Sequence, residues 1–128
     1  MLLVQTAALT ACAVLAGLAV FQAALLAGAP LGRFAWGGQH NVLPHGLRVG
    51  SAVSIVLYAA FGYAALAKAN MVPPLGDETV TSVIAWVLTG YFVLGVLMNA
   101  ISRSKPERTV MTPVALLLAI AYLVLAVN

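Results

Sequence analysis

Four apolar runs, Leu2 to Gly28, Gly50 to Ala69, Val80 to Ile101 and Val110 to Val127, divide this chain, and Lys68, at an edge, is the single charged residue inside them. Each is close to the ~20 apolar residues that carry a helix across a hydrocarbon core of about 30 Å. Inside a bilayer the backbone has no water to bond, so four such runs must close their hydrogen bonds within helices. The pattern predicts an all-α membrane protein: one four-transmembrane-helix bundle over residues 1–128, running up-down-up-down. Expected spans are 2–28, 46–69, 79–102 and 105–127, with an interfacial loop at 29–45. A soluble bundle is excluded because 63% of residues are hydrophobic and 7% charged, which leaves no polar face for each helix.

The charges orient the bundle. Arg33, Arg48, Arg103, Lys105 and Arg108, five of the six basic residues, fall in the first and third connections, whereas the second holds Asp77 and Glu78 beside Lys68. The positive-inside rule then places 29–49 and 103–109 in the cytoplasm and both termini outside. So lopsided a split argues against dual topology, and any homodimer is expected to be parallel. The net charge of +3 does not indicate nucleic acid, since no basic and aromatic stripe exists outside the spans.

Leu9-Thr10-Ala11-Cys12 resembles a lipoprotein cleavage box, but no Lys or Arg precedes it and the apolar run continues well past Cys12, so the segment is expected to be retained. A lone cysteine cannot form an internal disulfide. Phe21 and Tyr91 each stand twelve residues before an arginine, Arg33 and Arg103, and each hairpin continues through a proline, Pro44 or Pro106. This suits a parallel duplication of a two-helix hairpin.

Ser104 followed by Pro106 and Glu107 reads as a capping box opening the fourth helix, with the Glu107 carboxylate returning to the Ser104 amide. On that reading Glu107 is a surface carboxylate flanked by Arg103 and Arg108. The first connection is longer than a hairpin needs. Phe34, Trp36 and Gly37-Gly38 in it fit an interfacial belt, the favoured reading, or a lid over a cavity. His40 and His45 are five residues apart and lack a second cysteine or a local carboxylate, so no metal site is expected.

Gln22, Ser51, Ser54, Asn99 and Thr112 all lie near the helix ends that carry the arginines. They outline a basic vestibule whose candidate ligand-binding residues are Arg33, Trp36, His40, Arg48, Ser51, Asn99, Arg103 and Arg108. The second helix carries Arg48, Ser51, Ile55, Tyr58 and Gly62 along one face, while Gly46, Gly50 and Ser54 form a small-residue packing seam. Pro113 is expected to bend the fourth helix. No Asp or Glu lies within any of the four apolar runs, so a proton-coupled exporter of the small multidrug resistance type lacks its glutamate in the first helix.

Trp36-Gly37-Gly38, Leu43-Pro44, Arg48, the block Asn99-Ala100-Ile101-Ser102-Arg103-Ser104-Lys105-Pro106-Glu107-Arg108 and Met111-Thr112-Pro113 resemble a family of small four-span bacterial integral membrane proteins of unassigned function. That resemblance implies a shared fold and residence in the bacterial inner membrane, and implies no activity. The expected role is binding or transport of a small amphiphilic or anionic ligand through the basic vestibule. The alternatives are a structural or regulatory subunit packed on another membrane protein, and a lipid-modifying enzyme using His40 or Glu107. No nucleophile and base pair is recognisable, so no catalytic residue and no cofactor is assigned; membrane lipid is the expected partner. Orientation is testable with Gln39→Cys and Asn70→Cys in a Cys12→Ser background: an impermeant maleimide added outside intact cells should label the Asn70 position alone.

Overall fold

The computed structural model describes residues 2–128; Met1, which the expected domain includes, lies outside them. It contains four helices, α1 (Leu2–Leu26), α2 (His45–Lys68), α3 (Glu78–Ala100) and α4 (Lys105–Val127), all long and apolar enough to cross a membrane. The first connection also holds two short 3₁₀ turns, Gly32–Phe34 and Trp36–Gly38. The chain is thus an all-α bundle with the four spans of a multi-pass membrane protein.

Local chemistry sets the helix ends. α1 stops at Leu26, short of the expected residue 28, because Gly28 takes φ 96° and closes a Schellman turn, with Gly28 N donating to Leu25 O and Ala29 N to Ala24 O. Asn70, at φ 61°, ends α2 in the same way, through Asn70 N to Ala67 O and Met71 N to Leu66 O. Asp77 caps α3 by accepting from Val80 N at 2.9 Å. At the start of α2, Pro44 occupies the cap position and offers no side-chain bond.

α1 packs on α2 and α3 on α4, and α1 against α4 joins these two hairpins; α2 and α3 touch much less. The core is a seam of small residues, among them Ala8, Ala11, Ala65 and Ala119, into which Leu15, Leu118 and Leu125 fit. Small side chains let helices approach closely where water supplies no hydrophobic drive. Large apolar groups such as Val20, Val87, Leu97 and Ile120 face outward, the arrangement that lipid demands. Midway through the bundle an aromatic cluster spans three helices: Phe61 lies edge-on to Tyr91 and Phe92, and Phe92 stacks on Tyr122 at 5.2 Å. The Tyr122 hydroxyl donates to the Phe61 carbonyl at 2.5 Å, tying α4 to α2. Tyr122→Phe should therefore lower stability by about 1 kcal/mol without changing helix content, read by equilibrium unfolding in mixed micelles.

Candidate functional site

The end of the bundle that holds the first and third connections is assembled from the start of α4. Ser104 accepts from Glu107 N at 3.5 Å as the helix cap, and its hydroxyl donates to the Arg33 carbonyl, docking the 3₁₀ turns onto α4. The capping box closes differently from expectation. The Glu107 carboxylate does not return to the Ser104 amide; it accepts from the Ser102 hydroxyl at 2.5 Å, and Ser102 Oγ in turn accepts from Ser104 N at 3.2 Å. Nor is Glu107 a surface group, for it is only 9% exposed and faces the bundle interior. The reason is the hydrogen bond: Ser102, inserted between the Ser104 amide and the carboxylate, holds Glu107 as a wall residue of the cavity beneath the first connection.

The first connection is a packed cover rather than a belt lying apart from the bundle. Three glycines permit its approach: a Cβ on Gly32 would collide with the His40 carbonyl, one on Gly38 with the Ser104 side chain, and one on Gly50 would come within 2.9 Å of the Trp36 ring. Gly38 also sits at φ 72°, where a Cβ is strained. Ala35 and Leu43 are buried with Leu25 in a small cluster of their own beneath the cover. Arg48 completes the tie: Nε donates to Leu43 O at 2.9 Å, and the guanidinium lies against Gly28 at the C-terminal end of α1, where a cation is favoured by the helix dipole.

Beneath the cover is a half-open cavity of about 510 Å³. Phe34, Ala35 and Trp36 roof it, while Tyr58, Tyr91 and Phe92 line its deeper part. Four polar side chains reach it: Gln22, Ser54, Asn99 and Glu107. Two have a helix carbonyl as partner, Ser54 Oγ donating to Gly50 O at 2.9 Å and Asn99 Nδ2 to Gly95 O at 2.7 Å. Gln22 is 8% exposed, and its Oε1 has no partner. Tyr91, Leu94 and Met98 line the cavity and are also exposed on α3, so its mouth opens sideways, along the loosely packed α2 and α3 side, toward lipid.

Of the residues expected in a basic vestibule, only Trp36 and Asn99 reach this wall. No arginine does. Arg33 lies over the Phe34 ring at 4.8 Å, Arg108 donates to Ser102 O at 2.9 Å, and Arg48 is committed as described. Arg103 and His40 are exposed, and Ser51 is fully buried outside the cavity with an unpartnered hydroxyl. Arg33, Arg48 and Arg108 thus each find a carbonyl or ring in their own connection. Gly46 is exposed with open space around it, and Gly50 receives Trp36 rather than a neighbouring helix. Sequence reasoning offered Phe34 as part of a belt or lid and missed Tyr91 and Phe92 as wall residues; Gln22 was among the polar residues near the helix ends and Tyr58 on the face of the second helix, but their convergence with Glu107 depends on helix rotation. Searches of family models, curated proteins and solved structures return no match to the chain. Gly50→Leu should displace the Trp36 ring and shift its emission to longer wavelength, measured in a Trp86→Phe background; an unmoved spectrum would refute the packed cover.

Proposed function

We propose that this protein is a multi-pass component of the bacterial cytoplasmic membrane, its arginine-bearing end inside, and that it binds a small amphiphilic molecule in the cavity beneath the 29–45 connection. The observation that carries the reading is Gln22: it is a wall residue of a 510 Å³ cavity, it is more than nine-tenths buried, and its Oε1 has no hydrogen-bond partner. Buried polar groups are almost always satisfied, and apolar cavities of about 300–1,000 Å³ with a few convergent polar groups are the usual form of a small-molecule site. The mouth along Leu94 and Met98 suits a ligand that arrives through the bilayer with an apolar tail trailing into it.

The arginines take a different role from the one assigned to them on sequence grounds. They hold the cover and the helix ends, and the polar head of the ligand meets amides, rings and the Glu107 carboxylate. Binding accounts for the geometry better than conduction, because the Phe61, Phe92 and Tyr122 rings fill the bundle beyond the cavity. Native mass spectrometry of the gently extracted protein tests the proposal. A retained adduct is expected on the wild type and on Ser54→Ala, and should be lost from Ser54→Phe, whose ring fills the cavity; an adduct indifferent to Ser54→Phe places the ligand elsewhere.

A further inference from the structure

We infer that the cavity selects a lipophilic cation, an ammonium or other onium group carried on an apolar body. This rests on the cavity being a ligand site and concerns the sign of the charge it accepts. Glu107 is the one formally charged side chain on the wall, and no Lys, Arg or His lines the cavity. Of the cations nearest to it in sequence, Arg108 donates to the Ser102 carbonyl, and Lys105 and Arg103 are exposed. The carboxylate accepts one hydrogen bond in the structure, from Ser102, against roughly four lone-pair sites on an ionised carboxylate. It therefore has unused acceptor capacity inside a poorly solvated space.

The remaining groups point the same way. Asn99 has committed one Nδ2 hydrogen to Gly95 O, and its Oδ1 keeps both lone pairs for a ligand. The rings of Phe34, Trp36, Tyr58 and Tyr91 line the same volume, and aromatic faces attract cations, more strongly where water is excluded. An anionic head in this space would face a carboxylate with no cationic side chain on the wall, at a cost that grows as water is removed. A cation gains from every one of these groups, and its apolar body is accommodated by Leu18, Met111 and Leu118.

The test uses two ions of matched shape and opposite charge, tetraphenylphosphonium and tetraphenylborate, titrated calorimetrically into the full-length protein in maltoside micelles, with empty micelles as the blank. Saturable binding of the phosphonium at one per chain is expected, at least about tenfold tighter than the borate. Glu107→Gln, which keeps an oxygen for Ser102, should abolish that preference. Trp36→Leu should weaken the phosphonium several-fold, and this second variant carries the test should Glu107→Gln unfold. Equal binding of the two ions, or a preference that survives Glu107→Gln in folded protein, overturns the cation inference while leaving the cavity as a ligand site. If neither ion binds and native mass spectrometry finds no adduct, the binding proposal falls and this inference with it. The same cation chemistry is presented by a lipid headgroup and by a free compound: equimolar phosphatidylethanolamine and phosphatidylglycerol, offered together and read by native mass spectrometry, identify the lipid source if the ethanolamine lipid alone is retained in a Glu107-dependent manner. Retention of the glycerol lipid in the cavity counts against the inference.

Discussion

The cap of α4 holds the arginine-bearing end together. One hydroxyl, that of Ser104, both caps the helix and bonds the Arg33 carbonyl across the bundle. A second, that of Ser102, links the Ser104 amide to the Glu107 carboxylate. Helix starts leave amides without intrahelical partners, and here that local need docks the first connection and turns Glu107 inward. The roof of the cavity and its one charged group are thus both tied to two serines of the α3–α4 turn, Ser102 and Ser104.

Charge at this end serves two physical purposes. Arginine near a membrane boundary sets orientation because moving it across the hydrocarbon is costly. Once there, each guanidinium still needs acceptors, and Arg48 and Arg108 find them in carbonyls of the connection that precedes their own helix. The two hairpins repeat this arrangement, an arginine in the first turn of the returning helix bonded to the preceding turn. The arginines expected in a basic vestibule do not line the cavity; Arg48 and Arg108 bond backbone carbonyls, and Arg33 lies over the Phe34 ring.

The split of packing explains where a cavity can exist. α1 with α2 and α3 with α4 are close pairs, sealed in the bundle middle by alanines and by the Tyr122 bond to Phe61. α2 and α3 are the loosely joined sides of the two hairpins, and toward the arginine-bearing end the cover docks on α4 while the Trp36 ring rests on α2. Gly50 is the position that lets the indole sit there.

Membrane spans, their number, the capping serine and the charge asymmetry were legible in the residues themselves, because bilayer thickness, helix-end chemistry and hydration act on short stretches of chain. Gly28 and Asn70 as helix stops depend on equally local backbone preferences. The 29–45 connection could be read two ways, since Phe34 and Trp36 suit a headgroup layer as well as a cavity roof, and the choice rests on contacts with Ser104 and Gly50, distant in sequence. Glu107 was legible as part of a cap but not as a buried wall group, because its direction depends on Ser102 entering the hydrogen-bond relay. By itself the sequence determined a four-span bundle with one arginine-rich end; only the tertiary structure decided that Gln22, Tyr58, Asn99 and Glu107 share a cavity the arginines do not enter, because helix rotation and cover packing arise from contacts among all four helices at once.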